Sequence, residues 1–126
     1  FEQAEDGVRI TADVEGLSEG LHGFHIHQYG DCTAADATSA GGHFNPAGAP
    51  HSGPDAMERH MGDMGNLEAG ADGRAVLDVI DGTVDLGLIL GRGVIVHADA
   101  DDLMTQPTGA AGGRVGCGVI GVANSQ

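Results

Sequence analysis

Short segments in which apolar and polar residues alternate recur along the chain, and this period-two pattern is typical of strands with one buried face. In residues 7–16, GVRITADVEG, the side chains of Val8, Ile10, Ala12 and Val14 share one face. Glycine accounts for 23 of the 126 residues, which is too much for a helical protein but suits short strands joined by turns. The pattern predicts an all-β fold with strands at 7–16, 21–28, 74–80, 83–89, 93–99 and 114–123.

Two segments, 29–70 and 99–113, lack this alternation and are rich in Gly, Asp and Pro. A loop as long as 29–70 inside a compact domain is usually functional, and this one has few large apolar residues to order it. We therefore expect a bound group to order it. An antiparallel sheet with two long loops predicts a sandwich or Greek-key barrel, in one domain that covers residues 1–126.

The charge of the chain is strongly negative, because 19 acidic residues face five arginines and no lysine, for a net charge of −14. Such a surface repels nucleic acid and anionic membranes, so we expect neither as a partner. No apolar run reaches the roughly 18 residues of a membrane-spanning helix. The acidity has two interpretations, either ordinary solubility or adaptation to high salt, and the absence of lysine slightly favours the second.

Histidines on the predicted strands form a first candidate metal site. His25 and His27 are two residues apart in a strand, so their side chains point to the same face, whereas Phe24 and Ile26 point to the other. Two adjacent imidazoles can bind a metal ion, and His97 on another strand can add a third nitrogen. A single histidine in a strand is more often an ordinary polar residue, so the prediction depends on how many histidines cluster.

The long loop carries a second candidate set: His43, His51, His60 and Asp63 follow one another at spacings of eight, nine and three residues. Three imidazoles and one carboxylate can complete a tetrahedral zinc site. A bound ion would also explain how the loop is ordered, because metal binding contributes directly to folding free energy. His22 lies on the opposite strand face from His25, and we interpret it as a structural hydrogen-bonding residue.

Two cysteines, Cys32 and Cys117, lie far apart in the sequence. In a small β domain a disulfide between a loop and a distant strand is the leading interpretation, and two free buried thiols are the alternative. A disulfide favours an oxidising compartment, which here would be periplasmic or extracellular.

The motifs around these residues strongly resemble the copper/zinc superoxide dismutase family over about residues 1–123. The matching segments are HGFHIHQYGDC, GGHFNP, HSGP, RHMGDMGN, GRGVIVHADADDL and TGAAGGRVGCGVIG. The resemblance implies a Greek-key β-barrel, an immunoglobulin-like sandwich with a metal-binding loop and an electrostatic loop, here without the usual N-terminal strand. It implies that the chain disproportionates superoxide to oxygen and hydrogen peroxide by one-electron cycling of a copper ion that is bridged to zinc through His43.

The resemblance also implies roles for individual residues. His25, His27, His43 and His97 would bind copper, and His43, His51, His60 and Asp63 would bind zinc. Asp101 would link a copper-ligand ring to a zinc-ligand ring, Arg114 would lie beside the copper, and Cys32 and Cys117 would form the family disulfide. Without the resemblance, Asp101 could belong to a solvated acidic run and Arg114 could form a surface ion pair.

Two features depart from the family pattern. The loop that usually guides the substrate carries no lysine and reads MTQPTGAAG, so positive charge near the copper would rest almost wholly on Arg114. The absence of the usual N-terminal strand leaves a sheet edge that could associate in a homodimer. The alternative to an active enzyme is therefore a non-catalytic copper/zinc-binding module on the same fold.

Overall fold

A computed structural model describes residues 1–124 as an almost entirely β fold, which confirms the predicted fold class. The last two residues of the predicted domain, 125–126, lie outside the described residues. The strands are β1 (Glu2–Ala4), β2 (Gly7–Val14), β3 (Gly20–His27), β4 (Asp63–Ala69), β5 (Ala75–Asp81), β6 (Gly93–His97) and β7 (Arg114–Val119). Within the described part of the chain, no helix combines the length and the apolar character needed to cross a membrane.

All seven strands join one antiparallel sheet in the order β1-β2-β5-β4-β3-β6-β7. The sheet curls around a core that includes Ile10, Phe24, Ile26, Leu67 and Ile89, each of them at most 5% exposed. Strand β3 lies between β4 and β6, so the histidines of β3 are surrounded on both sides. Among residues 1–124, β1 and β7 end the sheet and do not pair with each other.

The prediction of a strand at 83–89 was wrong. A turn follows β5, and a short helix, α1, covers Leu86–Ile89. Asp85 caps this helix, because its carboxylate accepts a hydrogen bond from the Gly87 amide over 3.0 Å. Aspartate before the first helical residue is a strong N-terminal signal, and it outweighed the short alternating pattern.

The predicted loop 29–70 in fact contains a strand, β4, near its end. Strand β4 pairs antiparallel with β3 over most of its length, and the register shifts between Gly23 and His25. Gly65 has a φ of 82°, a conformation that L-residues other than glycine rarely adopt. This irregularity hid the strand, because DMGNLEA reads as turn-forming sequence rather than as clean alternation. The segment also holds a single 3₁₀ turn at Thr38–Ala40.

A disulfide and a buried ion pair tie the loop between β3 and β4 to the sheet. Cys32 and Cys117 form a disulfide with a Cα–Cα distance of 5.8 Å, which confirms the predicted pairing. Arg59, which is only 4% exposed, donates from Nη2 to Asp81 at the end of β5 over 2.7 Å, and from Nη1 to the Pro54 carbonyl over 2.7 Å. The loop between β3 and β4 is therefore held by a covalent and an ionic contact in addition to the few apolar side chains, such as Phe44, that it contributes to the core.

Candidate metal centre

The structure brings the predicted ligands together in two buried groups that meet at one residue. The four-imidazole group consists of His25, His27, His43 and His97, and the zinc-type group consists of His43, His51, His60 and Asp63. In each group the candidate ligand atoms lie within 4.8 Å of one another. The imidazole of His43 belongs to both groups, so a single ring lies between the two candidate ion positions.

Hydrogen bonds fix the rings of the four-imidazole group. His27 Nδ1 donates to the Gly41 carbonyl over 2.8 Å, and His97 Nδ1 donates to the Gly112 carbonyl over 3.1 Å. Because a carbonyl only accepts, both neutral rings carry their proton on Nδ1, and each Nε2 keeps a free lone pair. The two Nε2 atoms lie 3.4 Å apart and face each other, as two ligands of one ion do.

Two further nitrogens of this group have no hydrogen-bond partner within the described residues, although both are buried. They are His25 Nδ1 and His43 Nε2. A buried polar atom without a partner costs free energy, so such atoms are rare in folded proteins. Four convergent imidazole nitrogens, two of them without partners, fit a transition-metal ion of the kind that imidazole prefers.

The zinc-type group is centred on one carboxylate oxygen. Oδ1 of Asp63 lies 2.9 Å from His43 Nδ1, 2.8 Å from His51 Nδ1 and 3.2 Å from His60 Nδ1. Oδ2 of Asp63 accepts hydrogen bonds from the backbone amides of Ser52 and His60, over 3.0 and 2.9 Å. These two bonds orient the carboxylate and leave Oδ1 facing the three rings. Three imidazole nitrogens and one carboxylate oxygen match the tetrahedral donor set of zinc.

Asp101 connects the two groups through their rings. Its Oδ2 accepts from His25 Nε2 over 2.7 Å, and its Oδ1 accepts from His51 Nε2 over 2.8 Å. Both ring protons are therefore held on Nε2, which leaves Nδ1 of each ring for an ion. The carboxylate is 3% exposed, so Asp101 is not part of a solvated acidic run.

Burial sets the charge of the strand histidines. Burial lowers the pKa of His25 to about 4 and the pKa of His27 to about 2, so both rings are neutral at physiological pH. Burial also opposes protonation of His51, but its hydrogen bonds to Asp101 and Asp63 outweigh this effect and raise its pKa to about 9, so this ring must release the proton on Nδ1 before that atom can bind an ion. Neutral imidazole is the form that binds metal ions, so the β3 rings are in the ligand form at physiological pH.

Arg114 begins β7 and pairs in register with His97 of β6. Its Nη1 donates a hydrogen bond to the Ala37 carbonyl over 2.8 Å. Among residues 1–124 no carboxylate forms an ion pair with this guanidinium, in contrast to Arg9 and Arg74, which each pair with an aspartate. Arg114 is therefore a partly buried cation near the four-imidazole group, and Asp36 acts on it electrostatically without forming an ion pair. Its guanidinium can therefore still attract an anion.

His22 belongs to neither group. Its Nδ1 lies 2.7 Å from the His97 carbonyl, and its Nε2 lies 2.8 Å from the Ser18 carbonyl. The ring thus supports the backbone of His97 from behind, as the structural interpretation of this residue predicted.

Sequence reasoning missed two residues beside Asp101, one that holds its backbone and one that leaves room for its carboxylate. The side-chain amide of Asn66 accepts from the Asp101 amide over 2.7 Å and donates to the Asp101 carbonyl over 3.0 Å. At Gly109, with a φ of 72°, a Cβ atom would collide with the carboxylate of Asp101 and with Nε2 of His51. Asparagine and glycine are common in turns, so neither residue carried a signal in the sequence.

Comparison with known proteins agrees with this arrangement. Residues 1–120 match the copper/zinc superoxide dismutase family. One relative, the extracellular superoxide dismutase (Cu-Zn) of Brugia pahangi, is 46% identical over 134 aligned residues, which cover 97% of this chain and 67% of the relative. This chain is a member of the copper/zinc superoxide dismutase family.

Proposed function

We propose that this chain disproportionates superoxide, converting two superoxide ions and two protons into dioxygen and hydrogen peroxide, at the four-imidazole group. The observation that carries the proposal is that two complete sets of metal ligands share the ring of His43. Family membership supports the same activity. Copper and zinc are the cofactors of this family, and both donor sets fit them.

We assign copper to His25, His27, His43 and His97, and zinc to His43, His51, His60 and Asp63. Four imidazole nitrogens suit copper, whereas the mixed set with one carboxylate suits zinc. Copper, when bound, supplies the one-electron redox chemistry that the reaction needs and that zinc lacks.

His43 is the residue to which we assign proton transfer. Its Nδ1 faces the zinc-type group and lies 2.9 Å from Asp63, whereas its Nε2 faces the four-imidazole group. Asp63 therefore holds the ring in place, and Nε2 is the atom that would take up a proton whenever it does not ligate an ion. A proton at this atom is close to the product oxygen, where peroxide needs it in order to leave.

Arg114 is the residue to which we assign substrate attraction. Superoxide is a small anion, and the guanidinium is a permanent cation with a fixed array of donors. Its anchor on the Ala37 carbonyl uses Nη1 and leaves the other donors for the substrate. We call Arg114 and His43 the catalytic residues, because both would contact the reacting oxygen atoms.

The compartment, the domain organisation and the partners of the chain are part of the same proposal. We assign the chain to an extracellular or periplasmic compartment, which the disulfide and the name of the extracellular relative support. We treat residues 1–126 as one domain. We also predict, as in the sequence analysis, that the chain can form a homodimer and that it does not bind nucleic acid.

The test combines metal analysis with a superoxide-decay assay on protein loaded with copper and zinc. His43→Ala is expected to disturb both ions, because the ring belongs to both groups. Arg114→Ala is expected to keep both ions and to lower kcat/KM by about tenfold or more, the range of electrostatic steering. Arg74→Ala, which removes an exposed arginine from its pair with Asp13, is the matched control and should leave activity unchanged.

Fully loaded wild-type protein, freed of unbound copper, in whose presence superoxide decays only at the uncatalysed rate would overturn the proposal. The chain would then be a non-catalytic metal-binding module on the same fold.

A further inference from the structure

Gln106, in the loop between β6 and β7, makes a two-point contact with the backbone of His51. Its Oε1 accepts a hydrogen bond from the His51 amide over 2.7 Å, and its Nε2 donates to the His51 carbonyl over 2.8 Å. Nε2 also donates to the carbonyl of Met104 in its own loop, over 3.0 Å. We refer to the two bonds between Gln106 and His51 as the Gln106 bridge.

The bridge joins two loops that are remote in sequence at the position of one candidate zinc ligand. His51 is 2% exposed, and its ring is held at both ends: Nε2 bonds to Asp101 over 2.8 Å, and Nδ1 lies 2.8 Å from Asp63. The ring contacts fix where the imidazole points. The Gln106 bridge fixes the backbone from which the imidazole extends, so the two sets of contacts act on different parts of the same residue.

The same device recurs one step further along the network. Asn66 on β4 grips the backbone of Asp101 with a matching pair of bonds, over 2.7 and 3.0 Å. Asp101 in turn bonds to the ring of His51. Gln106 thus holds the backbone of His51, and Asn66 holds the backbone of Asp101, whose side chain bonds to the His51 ring. Together these bonds connect the loop between β3 and β4, strand β4 and the loop between β6 and β7.

We propose that Gln106 is a positioning residue for zinc, which acts through the backbone of His51 and slows the release of the ion. The inference rests on the zinc assignment in the proposed function. A residue that orients a metal ligand typically changes metal affinity by about 10–100-fold when it is lost. Because the Gln106 bridge holds the backbone rather than the ring, we expect an effect near the lower end, about tenfold.

The first variant is Gln106→Glu, which keeps an acceptor for the His51 amide but puts a carboxylate oxygen opposite the His51 carbonyl. Gln3→Glu is the matched control, since Gln3 Nε2 also donates to backbone carbonyls, those of Ala4 and Gly7, in a turn without metal ligands. A second variant, Gln106→Asn, keeps the amide and shortens the side chain by one methylene. It tests the bridge without adding charge.

The readouts are the visible spectrum of cobalt(II) placed in the zinc-type group and the rate at which zinc passes to a chelator. Both Gln106 variants are expected to shift the cobalt bands and to release zinc about tenfold faster than wild type. Gln3→Glu should match wild type in both measurements. Hydrogen exchange of the His51 amide in metal-free protein should also be faster in Gln106→Asn, a readout independent of any ion.

Wild-type spectra and zinc-release rates in both Gln106 variants would overturn the inference and leave the proposed function intact. A different result would count against the proposed function itself, namely cobalt spectra of the wild type that do not change when His51 is replaced by alanine. The two failures are therefore distinguishable.

Discussion

The guanidinium of Arg114 is anchored by the backbone carbonyl of Ala37, 2.8 Å from Nη1. Ala37 lies five residues after Cys32, and Arg114 lies three residues before Cys117 on β7. The disulfide between these cysteines therefore joins the segment that carries the acceptor to the strand that carries the cation. The disulfide therefore helps to keep the Ala37 carbonyl within hydrogen-bond distance of Arg114.

Removal of the disulfide should therefore affect both stability and catalysis. Replacement of Cys32 and Cys117 by serine, over a sequence separation of 85 residues, is expected to lower the free energy of unfolding by about 2–4 kcal/mol. Denaturant unfolding measures this change. We also expect kcat/KM to fall, because the Ala37 carbonyl no longer holds Arg114.

A double-mutant cycle with Arg114→Ala separates the two effects of the disulfide. If the serine variant loses the same factor in kcat/KM whether or not Arg114 is present, the link from disulfide to arginine is wrong.

Asp101→Asn should weaken metal binding on both sides of His43. The asparagine side chain keeps one acceptor oxygen but puts an amide donor opposite either His25 or His51, both of which donate to Asp101. Loss of a partner that orients a ligand ring typically costs about 10–100-fold in metal affinity. Competition with a chelator measures the loss, and Asp99→Asn, at an exposed aspartate two residues earlier in the same loop, serves as the nearby control.

Metal removal should destabilise the protein strongly. The loop between β3 and β4 contributes few large apolar side chains to the core, chiefly Phe44. A ligand present at about 1,000 times its Kd adds roughly 4 kcal/mol to the free energy of unfolding. For a chain of this size we expect chelation to lower Tm by roughly 10 °C or more. Addition of zinc alone should restore a large part of the loss. An unchanged Tm after verified metal removal would contradict the idea that ions order this loop.

Salt should not lower the activity of this protein steeply, as it does for an enzyme whose surface charge attracts its substrate. The chain carries a net charge of −14, so superoxide is repelled at long range, and molar salt screens this repulsion to about 3 Å. We expect kcat/KM to fall little, or to rise, between low and molar salt in a stopped-flow assay. A steep fall, like that of an enzyme that steers its substrate electrostatically, would contradict this prediction.

Thermal unfolding over the same salt series tests adaptation to high salt. A gain in stability at molar salt is expected if the acidic surface is adapted to it.

The sequence predicted the parts of this protein that local periodicity controls. The spacing of His25 and His27 placed both rings in one group, because a strand has a period of two. The convergence of His43, His51 and Asp63 depends on long-range contacts. Their donor chemistry marked them as a possible zinc set, and the motif resemblance added that His43 belongs to both groups.

Other features had no local signal at all. Strand β4 was hidden by Gly65, and α1 was mistaken for a strand because its apolar residues alternate over only a few positions. Asn66 and Gln106 act through side-chain amides on backbones far away in sequence. Hydrogen bonds of this kind follow from the folded arrangement of loops, and no periodicity or composition marks them in advance.

The collision that any Cβ at position 109 would make with Asp101 and His51 restricts how this loop can be engineered. Randomised libraries of the segment should tolerate replacements at solvent-facing Met104, whose side chain is 79% exposed, while clones that survive selection keep glycine at 109. Lysines that attract the substrate can therefore be added at exposed positions of this loop such as Met104. Position 109 must stay glycine, because its backbone lies against the carboxylate of Asp101.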